Sequence, residues 1–555
     1  ALMLSPEDGK PWTHNLNQRP LKDACEHARI DPPISFHILR HTYASLAVMA
    51  GMPLIVLAQN LGHRDTRMVE KHYGHLAPSY VTETVRTLAI LLALVSPAAA
   101  SAQAAHTTTT ASAQAAPPGQ PAHRDFTLGN GLRVIIVPVP DHTHVAIQAI
   151  HPVGFLDDPK ALPQGAHLLE HLLCMGAAGD QPAGAAFARL NASGLANAET
   201  LADFTHYDLV VPAADAEFAL RAHADRLASL RIDEAIIAQE GPRAAGELAF
   251  LQGRPERPVF KFAVMAAHQS WRFGMTDARL MGGLDKTPAD ALRDLHARKY
   301  GPGDALVVMV GAIDPDAGEA LARRVLGAIP VPAAVRPPPP PAIDWAAMPH
   351  THRVTWDSTA SSVIVAWAPP TDPADRAAAS IACELVFGAL TSDPALREVA
   401  AMTFGTNTMW PAGPPERGMP IFFCISLREG ADADGAATLL KERVLALADR
   451  AFEGPMAGAL AAMPAQFAQP PGAIVEMFAA QRRSGGAGRL GLDPKLLLIG
   501  NAALQIGMRA RITGPDAAAW AKATAAAMHR VRETLRATLT PEAARVTVIV
   551  PRAAR

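Results

Sequence analysis

Apolar and polar positions along this chain change period several times, and each change marks an element. Leu128-Gly-Asn-Gly-Leu-Arg-Val-Ile-Ile-Val-Pro138 is a Gly-Asn-Gly turn entering a β-branched run, and Val145 to Phe155 is a second run of the same kind; both predict strands. Gly165 to Cys174 reads as an amphipathic helix, and Ile232 to Leu248 as a longer one, with Gly241-Pro242 expected to kink it. Ala289 to Tyr300, with Pro288 just ahead of it, predicts another helix, and Ala305 to Gly311 a buried strand. A proline run from Pro337 to Pro341 then makes a stiff, extended spacer. Beyond it lie strand-like Val354 to Trp356 and Ser361 to Trp367, helix-like Ala377 to Phe387, and a closing run from Ala544 to Val550. The expected organisation is a half over 125–330, a linker over 331–345 and a second half over 346–555.

Length and charge narrow this picture. A chain of 555 residues is too long for one core. With 50 basic against 52 acidic residues, no global field draws the main domains to nucleic acid or an acidic membrane. The four cysteines, Cys25, Cys174, Cys383 and Cys424, are too scattered for a disulfide framework. Val85 to Ala102 has a basic start, an apolar run too short to span a bilayer and an Ala-x-Ala end, the layout of a secretory signal peptide. Residues 103–124 hold four consecutive threonines and several prolines with little to bury, and are expected to be a disordered tether. The localisation these segments imply is periplasmic or secreted, with no membrane span.

Candidate chemistry is concentrated at His167-Leu-Leu-Glu170-His171. On a helix the two histidines, four apart, share one face and can grip one tetrahedral metal. Glu170 lies beside them without being needed as a ligand, so it can poise a water as a base. A catalytic zinc needs a third protein ligand and an open fourth position. Downstream, Glu240 and Glu247 are two helical turns apart and share a face. Cys174, about one turn past His171, reads as a buried packing thiol.

This H-x-x-E-H arrangement, with its flanks, resembles the pitrilysin/insulinase family of inverted-motif zinc peptidases. That family takes its third ligand from a Glu about 76 positions past the second His, and Glu247 stands there, followed by Leu248. A Glu seven residues earlier, here Glu240, supports the ligands from behind. Asn197-Ala-Glu-Thr200 and Thr205-His-Tyr207 match a segment that runs beside the family's substrate, so Asn197 is a candidate for binding peptide backbone, or else a turn residue. The family usually follows its motif with Gly-Thr, where this chain has Met175-Gly-Ala-Ala-Gly179. The resemblance implies an α+β fold of two homologous-type sandwich halves, each a mainly antiparallel sheet covered by helices, with Zn²⁺ in the first only. It also implies an Arg and, seven positions later, a Tyr from the second half; Arg397 matches, but Phe404 stands at the Tyr position.

Residues 1–84 form a separate, short and mostly helical piece. Phe36-His37-Ile-Leu-Arg40-His41, Leu61-Gly62-His63 and Lys71-His72-Tyr73 resemble the carboxyl-terminal end of a tyrosine recombinase or phage integrase. In that family His37, Arg40 and His63 would contact the scissile phosphate and Tyr73 would attack it. The upstream Arg and Lys that the family also needs are not among these residues, so the piece is expected to be a truncated, inactive remnant. A signal-like segment behind it predicts that the chain joins two reading frames, the second starting near Val85.

The favoured expectation is therefore a zinc-dependent metalloendopeptidase acting on peptides, with His167, His171 and Glu247 as ligands and Glu170 as general base. Two alternatives belong to other classes: a non-catalytic structural subunit of a peptidase-family complex, and a DNA recombinase resting on residues 1–84 alone. Phe404 adds an expected partner, a related subunit that supplies the Arg-Tyr pair in a homo- or heterodimer.

Overall fold

The computed structural model describes residues 123–154, 157–159, 162, 164–201, 203–252, 283–331, 345, 349–356, 360–406, 420–450, 455–483 and 494–551. The recombinase-like positions His37, Arg40, His63 and Tyr73, the signal-like segment and the run of prolines lie outside these residues.

Two sheets flanked by helices make up the described chain. Strands β1 (Arg124–Thr127), β2 (Arg133–Pro138), β3 (His144–His151), β4 (Leu195–Thr200), β5 (Thr205–Pro212) and β6 (Leu306–Gly311) form the first, in the order β1-β2-β6-β3-β5-β4. Strands β7 (Thr351–Trp356), β8 (Ser362–Trp367), β9 (Ala400–Gly405), β10 (Ile421–Leu427) and β11 (Arg545–Pro551) form the second, in the order β7-β11-β8-β10-β9. Setting β1 aside, the two orders correspond strand for strand. Each sheet has one parallel pair at the equivalent place, β2 with β6 and β7 with β11, and antiparallel neighbours elsewhere. The mainly antiparallel expectation holds for both halves.

The helices of the first half are α1 (Gly165–Met175), α2 (Ala185–Ser193), α3 (Ala216–Ser229), α4 (Glu234–Gln252), α5 (Ala289–Lys299) and α6 (Pro315–Val325). Those of the second are α7 (Pro373–Ser392), α8 (Pro394–Val399), α9 (Ala433–Arg450), α10 (Pro455–Phe467), α11 (Pro471–Arg483), α12 (Pro494–Thr513), α13 (Ala517–Met528) and α14 (Val531–Thr538). Since α1 and α2 join β3 to β4, and α7 and α8 join β8 to β9, the helix bearing H-x-x-E-H has α7 as its counterpart. No described helix is long and apolar enough to cross a membrane.

Alternation along the strands sorts the first sheet into two faces. Val134, Ile136, Val145, Ile147, Tyr207, Leu209, Val307 and Met309 point to one side, where Leu168, Leu169, Leu172 and Leu173 of α1 meet them. Ile135, Val137, Ala146, Ile150, Val210, Val308 and Val310 point to the other, where the cover is Ile474 and Val475 of α11 with Ile499, Ala502, Ala503 and Ile506 of α12. The second half thus supplies the back layer of the first half's core. Close approach is built in at Gly507, where a Cβ would stand 2.3 Å from Gln148 Oε1. Arg133 ties the strands to the same layer by donating to the Gly514 carbonyl, 2.8 Å away.

Candidate metal centre

Helix α1 starts where Gln164, in left-handed backbone geometry, turns the chain, and Asp158 accepts the Ala166 amide at 2.7 Å. Its four leucines anchor one side in the core, which leaves His167 and His171 to face α4 with ring centroids 5.0 Å apart and planes nearly perpendicular. Helix α4 runs as one element from Glu234 to Gln252 through Pro242. Gly241 lets it settle against the turn at Leu284–Lys286: a Cβ there would stand 2.4 Å from the Asp285 nitrogen. Glu240 and Glu247, two turns apart on this helix, both reach α1.

Glu247 Oε2 lies 3.4 Å from His171 Nε2 and 3.9 Å from His167 Nε2. One ligand atom from each of these three residues falls within 4.8 Å of the others. Donors around a tetrahedral zinc at about 2.0 to 2.1 Å stand roughly 3.3 Å apart. The spacing and the His₂Glu donor set therefore fit such an ion with small adjustments.

Glu240 is 1 % exposed and sits behind the histidines. Its Oε2 is 3.5 Å from His171 Nδ1, while its Oε1 accepts from Arg243 at 2.6 Å and Gln239 at 3.0 Å. A carboxylate on Nδ1 fixes the ring and leaves Nε2 to face Glu247. Burial alone would lower the His171 pKa, but the hydrogen bonds its ring donates to Glu240 and Glu247 outweigh it and raise it to about 9. Burial likewise opposes the charged forms of both glutamates, yet His167 and His171 hold Glu247 below the usual carboxylate range, and His171, Gln239 and Arg243 do the same for Glu240. Two carboxylates face these imidazoles, and a cation fits among them by displacing a proton from His171.

Glu170, 8 % exposed, is not in the three-ligand group; its Oε2 accepts from Thr200 at 2.6 Å. Cys174 is outside that group as well, and burial pushes its thiol up to about 12. Asn197 lies on β4, the sheet's edge, opposite Asp208 and with an exposed side chain; by alternation it faces away from Thr200. Arg397 on α8 is exposed and bonds locally, its Nε donating to the Thr391 carbonyl, and Phe404 on β9 pairs in register with Cys424. The structure therefore brings together His167, His171, Glu170, Glu240 and Glu247. Arg397 keeps its bonds within the second half. Sequence reasoning gave Thr200, Thr205 and Arg243 no role. Thr200 and Thr205 stand in the substrate-side motif without a role of their own, and Arg243, three residues past Glu240, lies within helical reach of it.

Residues 1–79 match the phage integrase family, and residues 287–398 match a family described as the peptidase M16 inactive domain. The second match begins past all three candidate ligands and extends through α7 to α8. Coenzyme PQQ synthesis protein F of Pseudomonas aeruginosa is 30% identical over 240 residues, which cover 41% of this chain and 30% of that protein. Zinc protease PqqE of Helicobacter pylori is 24% identical over 196 residues, covering 35% of this chain and 44% of that one. The chain thus spans less than half the length of these relatives. A solved protease structure from Helicobacter pylori superposes with a TM-score of 0.52 at 17% identity, over 78% of this chain and 100% of that one, which shows a shared fold.

Proposed function

Because the chain belongs, behind an N-terminal phage-integrase segment, to the M16 pitrilysin-like family, we propose that it is a zinc-dependent peptidase that hydrolyses peptides with Glu170 as general base. The observation that supports this most is the convergence of His167, His171 and Glu247 within 4.8 Å, with Glu240 fixing His171 from behind. Zinc bound there would polarise a peptide carbonyl and acidify the attacking water. The residues do the rest. Glu240 orients His171, and Glu170 takes a proton from the water and hands it to the leaving amine. β4, the edge of the sheet among the described residues, offers backbone donors and acceptors along which an extended peptide can lie as an added strand, with Asn197 on that edge. The signal-like segment supports a periplasmic or secreted location.

Zinc analysis and chelator-sensitive peptide cleavage by the purified protein test this reading. Glu170→Gln should keep its zinc and lose hydrolysis by orders of magnitude. Absence of zinc from the wild-type protein, or full activity in Glu170→Gln, overturns it.

The match to an inactive-domain family over 287–398 favours a second reading, a non-catalytic subunit or one half of a divided site. Phe404 has no hydroxyl to steady an oxyanion, and the loss of one such donor costs about 10² to 10³ in rate. On this reading a related subunit carrying an Arg-Tyr pair completes the site. The isolated chain then binds zinc yet cleaves poorly, and Phe404→Tyr raises its activity. Robust cleavage by the isolated chain, unchanged by Phe404→Tyr, removes the divided site.

A further inference from the structure

Glu170 rests on two stacked hydroxyls. Thr200 Oγ1 is 2.6 Å from Glu170 Oε2 and 3.2 Å from Thr205 Oγ1, and Thr205 Oγ1 is 2.7 Å from the Val153 carbonyl. The two threonines form a register pair where β4 and β5 meet, and they are 3 % and 0 % exposed. Each hydroxyl has a single hydrogen, which fixes the direction of the bonds. The Val153 carbonyl can only accept, so Thr205 donates to it. Thr200 then chooses between a carboxylate at 2.6 Å and a hydroxyl at 3.2 Å, and the shorter, charge-assisted bond prevails. With both hydrogens committed, the contact between the threonines carries no hydrogen bond, and the Thr200 rotamer is held by its bond to Glu170, its burial and its β-branching.

We propose that Thr200 is the positioning residue for Glu170: it clamps Oε2 so that Oε1 alone is presented to the attacking water. This rests on the reading of Glu170 as the base. A hydroxyl that merely fills a buried space would leave turnover and substrate affinity coupled as before. A clamp affects turnover alone, because the peptide is held elsewhere and a small misplacement of the base slows the reaction steeply.

The test uses the full chain carrying Thr200→Val, Thr200→Ser or Glu170→Ala, and the double variant Thr200→Val/Glu170→Ala. In the zinc-loaded protein, Thr200→Val should lower kcat about 10- to 100-fold, with KM within about twofold and zinc content unchanged. Thr200→Ser, which keeps the hydroxyl, should restore most of the rate. In the metal-free protein, Thr200→Val should lower the melting midpoint when Glu170 is present and add little once Glu170 is Ala. Wild-type kcat in Thr200→Val, failure of Ser to rescue, or strictly additive melting shifts overturns the proposal. If the wild-type chain cleaves no peptide, the base reading of Glu170 fails, and the metal-free cycle still decides whether Thr200 holds its carboxylate.

Discussion

His171 is where two carboxylates meet one imidazole, and the outcome of substitution there depends on which carboxylate is removed. Glu247→Gln takes away a donor and should strip zinc from the protein under dialysis. Glu240→Gln leaves three ligands but frees the His171 ring, and should weaken zinc binding about 10- to 100-fold in a chelator competition. A second buried histidine predicts an effect on stability. His206 lies under the back layer, 2.8 Å from Asp208 and 3.8 Å from Glu199, stacked on Phe204, with Arg511 paired to Asp203 nearby. Burial lowers its pKa, but the two carboxylates outweigh this and raise it to about 10. The folded state therefore binds this proton more tightly than the unfolded chain. The resulting stability, on the order of a few kcal/mol, is fully present below the ordinary value of 6.5 and is lost as pH rises through about 10. His151 runs the other way: burial and then the charge of His296 lower it to about 3, so its contribution is full above 6.5 and is lost as pH falls towards 3. Melting midpoints should decline at both ends, and His206→Gln should flatten only the alkaline side. His167 and His171 were legible because their spacing within one helix encodes their meeting. Thr200 and Thr205 were not, because the partner of a hydroxyl depends on strand register and on an element thirty residues away.

At the scale of elements, long-period signals carried over well. The run ending at Gly311, the helix at Ala289 and the H-x-x-E-H helix stand where their periodicity placed them. The kink expected at Gly241-Pro242 does not divide α4, which stays one helix and thereby keeps Glu240 and Glu247 in phase. Proline costs a helix one hydrogen bond, and beside it Gly241 lies close against the Leu284 turn. Gly241→Val should push α4 off that turn, destabilising the protein by about 1 to 3 kcal/mol in urea unfolding and lowering zinc occupancy with it. The β4–β5 hairpin was recognised by its polar residues but not as strands. The two parallel pairs were invisible for a related reason: they join strands separated by most of a half.

For the molecule as a whole, the sequence suggested two consecutive halves, and the matching strand orders agree with a duplicated plan. What it hid was that α11 and α12 cover the first half's sheet, because they carry no mark of the sheet they cover. Among the described residues, the half that carries H-x-x-E-H takes its back layer from the other half. Residues 123–330 produced alone should fail to give a dispersed NMR spectrum or bind zinc, and supplying 346–551 in trans should restore both. Gly507→Leu in the full chain should separate α12 from Gln148 and lower the melting midpoint without touching a ligand.

This borrowed layer sets a clock during synthesis. Arg133 and the Gly514 carbonyl it binds are 381 residues apart in the chain. At about 5 to 20 residues per second, a ribosome needs roughly 20 to 80 seconds to cover that interval. For most of it the histidine helix has been made while the floor of its sheet has not, and the centre is expected to reach its working geometry only once α12 follows.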